Sequence, residues 1–293
     1  MWKKTLLAAS MICFSSVAHA SIDPKCAGLA KPENYSEVAQ QDYMMNFFAL
    51  STTLSPIHAP VPHEGGHGAI GVDLLVIPPL SCEHRYVLEW TKTEETNKTP
   101  IAPRPRITFA FKGPKGLVPY AGFAYLPPVT LLGTRNVIVS GEIGLGGVIK
   151  ERFEVGGRFH ATLQKTIADV ATAFEESGPV VNDFYFASTF GVDAMFGVRF
   201  GPVTPYAALG FTDVSTFFMV GDDSVVTNNY HPYFGPNFSV GADMLFVKHL
   251  RIGAEFYGAP GGRSLPDKTV DNAGGFGRYG HVYTGRIRLA YEI

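Results

Sequence analysis

The 293 residues carry 24 basic and 26 acidic side chains, a formal charge of −2 with His neutral, and include 32 Gly, 22 Phe and 13 Tyr. That balance lacks the excess of Lys and Arg that nucleic-acid binding demands, so no nucleic-acid partner is expected. Past the first twenty residues no run of eighteen apolar residues occurs, which excludes helical membrane spans.

Residues 1–20 open on Lys3 and Lys4, continue through an apolar centre at 6–17 and close on Ala18-His19-Ala20 before Ser21. This is the layout of a cleaved secretory signal, and its apolar run is too short to span a bilayer. Cys13 leaves with it, because Ile12 is bulky where lipoprotein processing wants a small residue. Cleavage removes two of the 24 lysines and arginines, leaving 22 against 26 acidic residues and a formal charge of −4. Residues 21–41 then read as a short periplasmic segment. Cys26 and Cys82 remain, an even pair that an oxidising periplasm can close into a disulfide.

From residue 42 onward the chain breaks into segments of strand length. Residues 42–53 are the first candidate, with a rival reading of 35–50 as a helix tucked into a lumen. Further strands are expected near 69–77, 85–90, 104–111, 119–125 and 136–148. The clearest is 152–164, where Phe153, Val155, Gly157, Phe159, Ala161 and Leu163 alternate without error against Arg152, Glu154, Gly156, Arg158, His160, Thr162 and Gln164. Successive side chains of a strand point to opposite faces, so one face is oily and the other wet. Strands near 184–200, 206–218, 237–246, 250–257 and 281–293 complete the set. Short connections are expected at 78–82, 112–116, 149–151, 201–204 and 247–249, and long ones at 91–103, 127–134, 167–181, 219–230 and 259–278. Residues 167–177 have helical spacing and could fold into the mouth as a plug.

Long alternating segments with aromatic residues, separated alternately by short and long connections, are the signature of a transmembrane antiparallel up-and-down β-barrel. The expectation is an all-β outer-membrane barrel over residues 42–293. It has twelve strands if 42–53 is one of them, or ten with an amino-terminal helix. Sidedness places Cys82 on a short periplasmic turn, the same side as Cys26.

Two segments repeat. Residues 113–125 run Gly-Pro-Lys-Gly-Leu-Val-Pro119-Tyr120-Ala-Gly122-Phe-Ala-Tyr125, and residues 201–211 run Gly-Pro-Val-Thr-Pro205-Tyr206-Ala-Ala-Leu-Gly210-Phe211. Each resembles the Pro-Tyr-x-Gly strand of small Gram-negative outer-membrane barrels of the OmpA and opacity type, and 237–257 resembles their late hairpin. The resemblance covers about a third of the chain and implies an eight-stranded scaffold, shorter than the material here, so no family function carries over. Those barrels commonly end in Phe; this chain ends in Ile293 with Tyr291 before it, which bears on recognition by the barrel-assembly machinery.

Alternation sends Asp73, Arg85, Glu89, Arg104, Arg106, Glu142, Arg152, Glu154, Arg158, His160, Asp193, Arg199, Asp243, Arg251, Glu255, Arg286, Arg288 and Glu292 into the lumen. Mixed signs at this density point to ion pairs bracing the wall or lining a small aqueous path; an ion-selective pore would show one dominant sign. His63-Glu64-Gly65-Gly66-His67 matches the H-E-x-x-H pattern, but that zinc chemistry needs a helix, which two glycines and the preceding Pro60 and Pro62 oppose. A Gly-rich external loop is expected there, with no metal. His160 has no evident serine partner for a lipid hydrolase, and the glycines at 144, 146 and 147 sit in a strand, relieving crowding rather than cradling phosphate. The expected role is a structural barrel or a narrow channel for small polar or amphipathic solutes, in contact with outer-membrane lipids. Enzyme activity and cofactors are not expected. The second reading is surface recognition through polar loops at 94–99 and 221–230.

Overall fold

Ten strands follow one another around a ring: β1 (Gly68–Val76), β2 (Ile101–Ala110), β3 (Leu117–Leu131), β4 (Thr134–Ile149), β5 (Phe153–Ala168), β6 (Asp183–Val198), β7 (Val203–Val220), β8 (Phe234–Val247), β9 (Leu250–Ala259) and β10 (Val282–Glu292). The computed structural model describes residues 22–168, 183–220, 225–262 and 279–293. Each strand pairs antiparallel with the next, and β10 returns to β1 over seven positions, from Ala69 opposite Glu292 to Leu75 opposite Arg286. The ring is therefore closed. Residues 225–228 add a short hairpin arm to β7.

Alternation explains both surfaces. Ile143, Leu209, Phe211, Val192 and Leu289 stand outward, each more than half exposed. Phe159 and Phe190, on neighbouring strands, stack outside at 6.5 Å. Inward, the tyrosine of each Pro-Tyr repeat lies directly opposite a glycine of the adjoining strand, Tyr120 against Gly144 and Tyr206 against Gly241. The ring occupies the volume a Cβ would fill there.

Two expected strands are absent from the wall. Residues 42–52 belong to the helix α1 (Glu37–Thr52) and Thr53 caps its end, so the ten-stranded alternative describes the ring. Ser36 caps α1, accepting the Ala39 N–H, and Ala, Gln, Met and Leu are good helix formers. Residues 85–90 fall in a small hairpin that pairs Tyr86 and Val87 with Thr93 and Lys92. Leu88, Glu89 and Trp90 there adopt φ of 52°, 57° and 71°, which turns the chain back on itself.

Losing the 85–90 strand reverses the polarity of everything upstream. Residues 78–82, expected as a short turn, begin a connection running from 77 to 100 at the opposite rim, with the connections after β5, β7 and β9. The turns after β2, β4, β6 and β8 share the other rim with Gly68 and Ile293. The expected loop at 127–134 is the end of β3 and a two-residue turn, Leu132 and Gly133, at φ 51° and 80°. The signal at 1–20, most of the 167–177 helix, and 221–224 and 263–278 of the long loops lie outside the described residues.

Candidate functional site

Residues 22–63 do not line the outside of the ring; they run down through it. The upper end is clasped to the 77–100 connection. Cys26 and Cys82 are disulfide-bonded, at the rim of long connections rather than beside the short turns. Tyr86 stacks on Trp90 at 4.2 Å and donates to the Cys26 carbonyl, while the Trp90 indole donates to Leu29 O. Arg85 pairs with Asp23 at 2.8 Å. The Lys25 backbone N–H and then this guanidinium hold the Asp23 carboxyl below its usual range. The Glu37 carboxylate, on the first turn of α1, accepts the N–H groups of Leu88 and Glu89 in the hairpin turn. Cys82→Ser is expected to speed amide exchange across 26–35 by about tenfold or more, since loop closure then no longer restrains the segment. Mass-spectrometric exchange reads this, and an unchanged rate means the ring stacking alone holds the clasp.

α1 descends from that rim, buried on nearly every side. Its polar residues engage the mouth: Asp42 accepts the N–H groups of Tyr230 and His231 at 2.8 and 2.9 Å, and Asn46 donates to His231 O and Tyr279 O. Its apolar residues, among them Tyr43, Phe47 and Leu50, pack with Tyr185, Tyr233 and Val214.

The carboxyl end of α1 stops mid-lumen, where Leu50 O still accepts the capping Thr53 N–H while the carbonyls beyond it have no intrahelical N–H to accept and carry the negative pole of the helix. Wall arginines supply what the chain itself does not. Arg286 donates to Leu50, Ser51 and Thr53 O at 3.3, 3.2 and 2.8 Å. Arg104 donates to Thr52 O at 2.9 Å, and just beyond the helix Arg158 takes Leu54 O at 2.8 Å and Arg106 takes Ser55 O at 3.1 Å. Carboxylates interleave them. Asp73 stands opposite both Arg104 and Arg288 in the ladder and lies 3.2 Å from Arg106. Glu142 bridges Arg106 and Arg158, with His58 at 3.5 Å, and Asp193 takes Arg158 at 2.7 Å and Asn237 at 2.9 Å.

Residues 53–63 continue as a buried thread without regular secondary structure, with Ile57 at φ 49°. Pro56, Pro60 and Pro62 have no N–H to satisfy, and the N–H groups of Ile57, Ala59 and Val61 meet carboxylates. Ile57 N–H donates to Glu255 at 3.0 Å, Ala59 N–H to Asp243 at 3.2 Å and Val61 N–H to Glu154 at 2.9 Å. These charge-assisted bonds replace a β-ladder. The wall is shaped for the thread. A Cβ on Gly253 would sit 2.5 Å from Ile57 O, and one on Gly146 would strike Pro60 O. Lower down, Arg251 donates to Pro62 O and pairs with Asp243 and Glu292, and His63 bonds the Thr108 hydroxyl at 2.7 Å.

Between α1, the wall and the 77–100 connection lies a cavity of about 390 Å³. Met44, Met45, Phe48, Ile77, Leu88, Ile138, Tyr185 and Phe218 make it mainly apolar. Its floor is a polar relay in which Thr52 donates to Gln164, Gln164 to Thr166, Thr166 to Asn136 and Asn136 to Thr134. The volume falls in the range of about 300–1,000 Å³ typical of small-molecule sites, and an apolar lining with a few convergent polar groups is their usual chemistry.

Of the charges expected in the lumen, Asp73, Arg104, Arg106, Glu142, Glu154, Arg158, His160, Asp193, Asp243, Glu255, Arg286 and Arg288 are buried there. Arg199, Arg251 and Glu292 sit at the short-turn rim, partly exposed. Three are elsewhere. Arg85 and Glu89 belong to the clasp, Glu89 pairing with Lys31, and Arg152 is exposed at a turn over the Phe200 ring. His63–His67 is a turn between the thread and β1 instead of an external loop; His67 is exposed while His63 is buried, and no metal-ligand cluster occurs among the described residues. Glu94 and Thr96, expected on an exposed loop, are buried and line the cavity. The thread and the polar relay were missed; Pro56, Pro60 and Pro62 in an apolar run were the available signal.

No family model and no curated protein sequence matches the chain. Among solved structures it is similar to the translocator domain of the autotransporter NalP from Neisseria meningitidis, at 13% identity over 79% of this chain and 90% of that one, TM-score 0.37. It is also similar to the Pseudomonas putida toluene transporter TodX, at 10% identity over 89% and 77%, TM-score 0.34. A third is the CymD monoaromatic hydrocarbon channel, at 12% identity over 94% and 76%, TM-score 0.34. Strand number and closure rest on the pairing register given above.

Proposed function

We propose that the chain is an integral outer-membrane barrel that takes up small amphipathic solutes through a lumen closed at rest by its own amino-terminal segment. The cavity carries this reading: an apolar chamber with a hydrogen-bonding floor, beside a helix that blocks the way onward. An outward face of large apolar side chains belongs in hydrocarbon, and barrels of this kind keep short turns on the periplasmic side. By that rule the cavity and the clasp face outward. The lumen charges then serve to hold the plug, which accounts for their near-cancelling signs better than an ion path does.

The mature chain has one tryptophan, Trp90, beside the cavity-lining Val87 and Leu88, so it reports occupancy. Energy transfer from Trp90 to N-phenyl-1-naphthylamine is expected to saturate in nanodiscs, with a dissociation constant on the order of micromolar. Phe218→Asp is expected to weaken it by at least about tenfold, since an unpaired carboxylate is then placed in an apolar wall. Transfer that rises linearly with dye in both proteins counts against the cavity as a binding site.

A further inference from the structure

The outer face of the ring is nearly free of polarity. Among the described residues its outward strand positions hold apolar and aromatic side chains, Gly and Pro, with six exceptions: Thr130 on β3, Arg135 on β4, Lys165 on β5, Ser188 on β6, and Asp213 and Ser215 on β7. Register brings all six together. Thr130 lies opposite Arg135, Arg135 opposite Ile167, Lys165 opposite Val137 and Phe186, and Ser188 opposite Leu163 and Ser215. Asp213 is one outward step below Ser215, opposite Phe190 and Phe234. The result is one polar stripe across five neighbouring strands.

Its height is set by residue count. From the short turns, Asp213 is ten residues above Val203 on β7, Lys165 twelve above Phe153 on β5 and Arg135 fourteen above Ile149 on β4. A strand residue rises about 3.3 Å, or about 2.5 Å once tilted by about 40°, so the stripe stands about 25–35 Å up a wall whose apolar band is about 25 Å tall. It therefore lies where headgroups begin and the cost of a charge falls away. Arg135 and Lys165, both exposed, have no carboxylate partner among the described residues; Lys165 rests 4.7 Å over the Phe184 ring. Phe184 and Phe186 stack on Phe217 at 5.7 and 5.2 Å, a platform beside it. Beneath the stripe the wall is apolar through the exposed rings of Phe159, Phe190 and Phe211.

We propose that this stripe docks a phosphorylated glycolipid of the outer leaflet, its phosphate held by Arg135 and Lys165, its amide and hydroxyl groups by Asp213, Ser188 and Ser215, and its acyl chains laid on the aromatic wall below. The placement rests on the long-connection rim facing outward, as argued above, and is independent of the cavity, whose lining includes none of the six. Arg135 and Lys165 are diagonal neighbours on adjoining strands, a spacing of about 7–8 Å that two long side chains close around one phosphate. A guanidinium fork and a mobile ammonium are the usual pair for that group. The carboxylate and the two serine hydroxyls accept N–H and O–H donors, which a sugar headgroup supplies in number and a simple phosphodiester does not.

The test titrates the full mature chain in detergent micelles with bis-phosphorylated lipid A and counts bound lipid by native mass spectrometry. Heat-modifiable mobility first confirms that each variant is a closed barrel. A saturable adduct of one lipid per chain is expected. Arg135→Gln with Lys165→Gln is expected to weaken it by at least about tenfold, the worth of one charge-assisted contact. Lys112→Gln with Lys248→Gln makes the same change of charge at exposed positions of the opposite rim and is expected to leave binding unchanged. Asp213→Asn is expected to weaken lipid A without affecting phosphatidylglycerol. Lipid A held as tightly by the Arg135 and Lys165 double variant as by the wild type overturns the site, and so does dephosphorylated lipid A bound as tightly as the phosphorylated form. Phosphatidylglycerol bound as tightly as lipid A overturns the assignment to a glycolipid. Dye binding in the cavity is read with another probe at another place, so the failure of either result is distinguishable from failure of the other.

Discussion

Gly253→Leu is expected to turn a silent barrel into a conducting one. The wild-type protein in a planar bilayer should pass no steady current, because α1 and residues 53–63 fill the lumen. A leucine at 253 places side-chain atoms where the Ile57 carbonyl sits, on a wall held by hydrogen bonds to both neighbouring strands, so the thread is the part that yields. Displacing it also strips partners from the wall. Arg104, Arg106, Arg158, Arg286 and Arg288 then face the lumen together with Asp73, Glu142, Glu154, Asp193, Asp243 and Glu255, so the near-balanced signs should leave the opened pore with little preference between anions and cations. Reversal potentials in a salt gradient measure this directly. A variant that stays silent while folded contradicts the account of the thread as the plug, and one that opens with a strong preference for either sign of ion contradicts the balance of the lumen charges.

The second large effect is on stability. Glu142 is fully buried and bridges two arginines from different strands, Arg106 on β2 and Arg158 on β5, across the intervening β3 and β4. Glu142→Leu removes the carboxylate and leaves both guanidinium groups without it in the dry interior. Breaking a buried pair in this way costs about 3–5 kcal/mol, far more than an exposed pair. The shift should appear in the denaturant midpoint of the refolded barrel and in its heat-modifiable mobility. Glu142→Gln, which keeps the shape and some of the hydrogen bonding, should lose less. Equal losses for Leu and Gln would place the effect in packing, and a loss below about 1 kcal/mol would mean water already compensates the pair.

Closure itself follows from a period of two. From β4 to β10 the alternation is read straight off the chain: Phe153, Val155, Phe159 and Leu163 outward, Glu154, Arg158, His160 and Gln164 inward, in an order no local competitor disturbs. The wall charges were legible for the same reason, since parity alone decides which way they point. The two failures came from short segments whose pattern admits several outcomes. Residues 85–90 are rich in residues that suit a strand, yet Trp90 packs on Tyr86 and the Cys26 clasp, a contact between parts of the chain 60 residues apart. α1 carries no apolar stripe because it is buried on nearly every side, and a helix without a wet face gives periodicity nothing to detect.

What the amino-acid sequence settles by itself is the wall: which residues meet oil, which meet the interior, and that the strands suit a closed barrel, because those facts depend only on neighbours one and two positions away. What the charges are for was decided by tertiary structure. Arg286 serves carbonyls 233 to 236 residues distant, and Glu255 an amide 198 residues away. A buried backbone group takes its partner from whatever the fold brings within about 3 Å, and that proximity is a property of the closed ring, not of any segment of it.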